Sequence, residues 1–92
     1  MQSTTKKTLH LVIHGSVQGV FFRASMQREA RHLGISGWVR NRNDGTVEAM
    51  VQGDPAAVDA MVRWAQRGPE LAHVSRVEIN TGEGDFSNFD VT

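Results

Sequence analysis

Apolar residues alternate with less apolar ones through Leu9, Leu11 and Ile13. That period of two predicts a half-buried strand over Leu9–His14, ended by Gly15. From Phe21 the period changes. Phe22, Met26, Ala30 and Leu33 recur at steps of four and three, which is one face of a helix. Arg28, Glu29, Arg31 and His32 lie mostly on its wet side, and Gly34 suits a left-handed cap. Alternation returns at Val47, Ala49 and Val51. A strand over Thr46–Gln52 can pair with one over Gly37–Asn41 across Asn43-Asp44-Gly45, a strong hairpin signal. Asp54-Pro55 then opens a second helix, with Asp54 as N-cap and Pro55 in the first turn. Val58, Met61, Val62 and Ala65 form its stripe, and Gly68-Pro69 closes it. Val74–Asn80 reads as a strand. After the turn Thr81–Gly84, Phe86–Val91 suits a last short one.

This order predicts an α+β fold, a ferredoxin-like α/β plait: βαββαβ plus a short terminal strand, with two helices on one face of an antiparallel sheet. A chain of 92 residues suits one domain. Its expected span is 9–92, after a flexible polar tail over 1–8. Many unrelated activities use this fold, so function must come from a site.

Composition narrows the classes. Lys+Arg and Asp+Glu number 10 each, a balance that argues against a nucleic-acid partner. Cysteine is absent, which excludes disulfide scaffolds, thiolate metal sites and Cys nucleophiles. No apolar stretch has the length of a membrane span, and the N-terminal residues lack the apolar core of a secretory signal. The expectations are no membrane partner, a cytoplasmic location and a monomer. His10, His14, His32 and His73 have no metal-ligand spacing; the first two share a strand face but stand about 13 Å apart.

Two segments carry candidate chemistry. Gly15-Ser16-Val17-Gln18-Gly19-Val20-Phe21-Phe22-Arg23 lies where the first strand gives way to a helix. Amides at a helix N-terminus lack internal partners, and the helix dipole favours an anion there. Gly15 and Gly19 permit the dihedrals of a tight anion loop. Arg23, in the first turn, carries a planar fork that matches phosphate oxygens. The second segment runs from Gly37-Trp38-Val39-Arg40-Asn41 to Gly53. Asn41 ends a strand, and its uncharged amide offers donors and an acceptor with which to fix a water molecule.

Together the segments resemble the acylphosphatase family. The pattern Gly-x-Val-Gln-Gly-Val-x-Phe-Arg is met at Gly15, Val17, Gln18, Gly19, Val20, Phe22 and Arg23. A second pattern is met at Gly37, Trp38, Val39, Asn41, Gly45, Val47 and Gly53. The resemblance implies hydrolysis of a small-molecule acyl phosphate to a carboxylate and inorganic phosphate, the latter also an expected inhibitor. It implies that Arg23 and the amides of Gly15, Ser16, Val17, Gln18, Gly19, Val20, Phe21 and Phe22 bind phosphate, while Asn41 orients the water. No cofactor or metal is expected, and a substrate phosphate oxygen takes the water's proton. The resemblance also implies sheet order 4-1-3-2 with the fifth strand beside strand 2. One departure bears on that last strand: Asn88 precedes Phe89 where many members have Gly.

Taken singly these residues have plainer readings. Gly15 and Gly19 would be turn residues, Arg23 a solvated helix residue and Asn41 a hairpin residue. The constellation lifts them. Val17, Val20 and Phe22 read as packing supports, Trp38 as strand or surface packing, Arg40 and Arg42 as a solvated turn, and Asp44 as a hairpin residue. Two rivals are weaker. One is a non-catalytic phosphate-binding module; the other is an RNA-recognition domain, which would need aromatics on its central strands.

Overall fold

The computed structural model describes residues 5–92. The alternation about Leu11 becomes strand β1 (Lys7–Ser16), and the Phe22-led face becomes helix α1 (Phe22–Leu33). Strands β2 (Ser36–Asn41) and β3 (Val47–Gly53) form the hairpin. Helix α2 (Pro55–Arg67), strand β4 (His73–Thr81) and the short strand β5 (Phe89–Val91) complete the chain. The sheet order is β4-β1-β3-β2-β5. Leu11 and Ile13 of β1, Val39 of β2, and Val47, Ala49 and Val51 of β3 are fully buried. Against them pack Phe22, Met26 and Ala30 of α1 and Val58, Met61 and Ala65 of α2. Phe22 also meets Trp64 of α2 edge-to-face, with ring centroids 5.4 Å apart, so the first residue of α1 is clamped to the second helix.

Several local expectations are corrected. β1 begins at Lys7, with Lys7 and Thr8 paired to Gly53 and Gln52, so those two residues are not part of a flexible tail. The rest of the expected tail is mostly outside the described residues. β1 also runs past Gly15 to Ser16. Its pairing with β4 shifts register between His14 and Gly15, a bulge. Gly15 has φ 128°, and a Cβ there would sit 2.0 Å from the His73 carbonyl oxygen. The close approach of β4 therefore requires glycine at this position.

The sheet is mixed. β1 pairs antiparallel with β3 and β4, and β2 antiparallel with β3, but β5 runs parallel to β2. β5 is also shorter than expected. The amide of Phe86 donates to Gln52 Oε1 (3.1 Å) instead of a ladder carbonyl. Gln52 is buried and fully used: its Nε2 donates to Thr8 Oγ1 and to the Gly84 carbonyl. It thereby pins the connection between β4 and β5. The N-cap expectation at Asp54 fails in detail, since its side chain makes no cap hydrogen bond. Gly34 ends α1 in the left-handed conformation as expected (φ 74°).

Candidate active site

The loop between β1 and α1 is held from beneath at both ends. Val17 and Phe22 are buried in the core, and Val20 packs partly against it. These side chains support the loop, and the backbone between them is left to turn over the start of α1. Gly19 takes φ 76° and Phe21 φ 63°. Phe21 is the N-cap of α1 and makes no side-chain cap bond; the first helical turn has no acidic residue. The first amides of α1 therefore keep their donors and the positive end of the dipole for an anion.

Gln18 ties this loop to the hairpin. Its Nε2 donates to the carbonyl oxygens of Arg42 (2.7 Å) and Thr46 (2.9 Å). The turn is itself braced. The Arg42 amide donates to the Thr46 carbonyl (2.9 Å), and the Gly45 amide to the Arg42 carbonyl (3.2 Å). Asp44 Oδ1 accepts from the Thr46 hydroxyl (2.6 Å) and amide (3.0 Å). Those bonds, the hydroxyl first, hold the Asp44 carboxyl below its ordinary pKa. Asn41, the last residue of β2, is exposed beside this turn, and its side chain makes no hydrogen bond among the described residues.

Loop, helix start, Asn41 and β5 enclose a pocket of about 310 Å³, lined among others by Val17, Gly19, Phe21, Arg23, Asn41 and Val91. Arg23 Nη1 donates to the main-chain oxygen of Thr92 (2.9 Å). No side-chain carboxylate among the described residues neutralises it. Arg40 and Arg42 are differently placed. Arg40 Nε donates to Glu48 Oε1 (2.6 Å) and its guanidinium lies over the Trp38 ring, while Arg42 is 3.8 Å from Asp44.

The two residues expected to do chemistry, Arg23 and Asn41, thus share a pocket with the loop between them. Gly15 and Ser16 do not belong to it; both are strand residues paired with β4. Gln18 faces the hairpin rather than the pocket. Val91 and Thr92, which β5 brings beside Arg23, were not expected at the site; no local signal links positions so far apart in the chain. The left-handed backbone of Phe21 was not expected either, because a Phe does not advertise it.

His10 and His14 meet Glu48 and Glu78 at 2.6 Å. Partial burial pushes the Glu48 carboxyl up, but hydrogen bonds from His10 and Arg40 outweigh that and leave it below its ordinary value. Among the described residues no group of three His, Asp or Glu is placed to hold a metal, and no helix is long and apolar enough to cross a membrane.

The family model Acylphosphatase matches residues 9–91. A relative from Thiobacillus denitrificans named Acylphosphatase is 62% identical over 84 residues, spanning 91% of this chain and 94% of the relative. One of the same name from Thermococcus kodakarensis is 61% identical over 74 residues, 80% of this chain and 81% of its own. The solved structure of an acylphosphatase from Coxiella burnetii superposes with a TM-score of 0.90 at 35% identity, covering 95% and 93% of the two chains.

Proposed function

Because the chain belongs to the acylphosphatase family and hydrolyses acyl phosphates, we propose that it does so in the pocket shared by the β1–α1 loop, Arg23 and Asn41. The observation that carries this assignment is that Arg23 and Asn41 line one pocket at the N-terminus of α1. The phosphoryl group sits on main-chain amides between Val17 and Phe22. The Arg23 guanidinium spans two of its oxygens. Asn41 accepts a hydrogen bond from a water and turns the water's lone pair toward phosphorus.

Attack forms the water–phosphorus bond as the bond from phosphorus to the acyl oxygen breaks. The departing electron pair stays on the carboxylate, and a phosphate oxygen takes the water's proton. A carboxylate leaves readily, its conjugate acid having a pKa of about 4. Positioning and charge stabilisation are then the protein's main tasks. The pocket lining contains no His or carboxylate to act as a base, which fits proton transfer to the substrate itself.

The test is hydrolysis of benzoyl phosphate in excess chelator, with inorganic phosphate as competitor. Asn41→Ala should lower kcat by roughly 10²–10³, the cost of losing one preorganised polar group, with phosphate inhibition unchanged. Arg23→Ala should weaken both, and Arg23→Lys should restore little, because a point charge lacks the fork. If phosphate affinity fell in Asn41→Ala as far as kcat did, Asn41 would be a binding residue. Loss of wild-type turnover in chelator would replace the mechanism by a metal-dependent one.

A further inference from the structure

Phe21 is an anomaly that the phosphate site does not explain. It has φ 63°, a conformation in which a bulky side chain is a genuine outlier. Its ring is 75% exposed, so it adds little to the core. A main-chain amide for phosphate could be supplied here by glycine without strain. The ring itself therefore needs a reason.

Its surroundings supply one. Phe21, Leu71, Ile79 and Val91 are the exposed large apolar side chains of the described residues, and two of them, Phe21 and Val91, line the pocket with Arg23 and Asn41. They come from opposite ends of the chain. Val91 is fixed by parallel pairing with Val39. Phe21 is fixed by the buried Phe22 that follows it and by the Ser25 amide, which donates to its carbonyl (3.0 Å). The pocket thus combines a cationic, amide-rich part with two wet hydrocarbon side chains held on fixed backbone.

An acyl phosphate has the same division, an anionic phosphoryl group joined to a hydrocarbon acyl group. Resting on the assignment of the phosphate site above, we propose that Phe21 and Val91 form the acyl subsite and select acyl phosphates with aromatic or branched hydrocarbon groups over acetyl phosphate. The Phe21 side chain is exposed, and a bound acyl group of that class removes apolar surface of both partners from solvent. An acetyl group offers a single methyl for the same contact. The positive φ is then kept because it carries the side chain of Phe21 out of the core and onto the pocket.

The experiment compares kcat/KM for benzoyl and acetyl phosphate in the wild type, Phe21→Ala and Val91→Ser, with the inhibition constant of inorganic phosphate measured alongside. The benzoyl-to-acetyl ratio should fall about tenfold in Phe21→Ala, as expected for loss of an aromatic contact in a pocket, chiefly through KM for benzoyl phosphate. Val91→Ser should lower the same ratio by a smaller factor, and it carries the test if Phe21→Ala does not melt cooperatively. An equal loss on both substrates, leaving the ratio unchanged in the folded variants while phosphate still competes, would overturn the subsite alone. Failure of phosphate to compete in the wild type would instead remove the site on which the subsite depends.

Discussion

Gln18 is the joint between the two halves of the site, and removing it should cost more activity than stability. Its amide donates to the carbonyls of Arg42 and Thr46. A net hydrogen bond contributes about 0.5–1.5 kcal/mol. Both carbonyls keep a second donor, from the Gly45 and Arg42 amides, so neither is orphaned in Gln18→Ala. The loss should stay near the low end of two bonds, about 1–2 kcal/mol, or roughly 5–15 °C in Tm for a domain this small. The variant remains folded at 25 °C. The phosphate loop, however, is no longer registered against Asn41, and a displacement of about 1 Å can lower turnover by about a hundredfold.

Gln18→Glu sharpens the test. At neutral pH its carboxylate would face two carbonyl oxygens with no proton to donate, so it should be less stable than Gln18→Ala. Protonation restores one donor, which raises the folded pKa of this Glu above its unfolded value of about 4.3. The favourable contribution is then fully present below that value and is lost as pH rises through the folded pKa. Urea melts of both variants at about pH 4 and pH 7, with kcat on benzoyl phosphate, measure these effects. Gln18 is not the joint if Gln18→Ala matches the wild type in stability and kcat, or if Gln18→Glu is the more stable of the two at neutral pH.

Two further outcomes follow from the strands. Gly15→Ala should lower stability by at least about 2 kcal/mol, because φ 128° is strained for alanine and the new Cβ would overlap the His73 carbonyl; a thermal melt unchanged from wild type would contradict the close approach of β4. Glu48→Gln should lower stability at neutral pH but not in acid: Glu48 is held below its ordinary 4.5, so its contribution is present above that value and lost as pH falls through the folded pKa. Urea melts along a pH series check this, and a constant difference down to about pH 3 would show that the charge of Glu48 contributes nothing.

What could be read from the sequence was local and periodic. Leu11 with Ile13, Val47 with Ala49 and Val51, and the Phe22–Met26–Ala30 face all found the core at their expected parity, because burial of one face leaves a period of two or 3.6. Arg23 and Asn41 could be picked out because the resemblance holds both motifs together, and the fold brings them to one pocket. What stayed hidden depends on a partner distant in the chain. Gly15 looks like a loop glycine until β4 lies against it. Gln18 looks like a solvent-facing loop amide until the hairpin arrives beneath it. Asp54 has the right residue type for a cap, but its side chain makes no cap hydrogen bond. The direction of β5 is set by the route of its connection across the sheet edge, which three strand residues do not encode.

The shortness of β5 has a consequence for how the enzyme fails. One wall of the pocket rests on a three-residue parallel edge strand, anchored by buried Phe89, the Gln27 side-chain bond to its carbonyl, and main-chain bonds from Gly37 to Asn88 and from Thr92 to Val39. Of the side chains of that strand only Phe89 belongs to the core between sheet and helices, so peeling it exposes far less apolar surface than opening a central strand. It is therefore a separate opening unit, with a lower free energy of opening than the central β1–β3 ladder. Each opening carries off Val91 and the Thr92 main-chain oxygen that holds Arg23, while the rest of the molecule stays native. Under mild warming or low denaturant, turnover is then governed by fraying at one edge, and it declines before any global signal of unfolding changes.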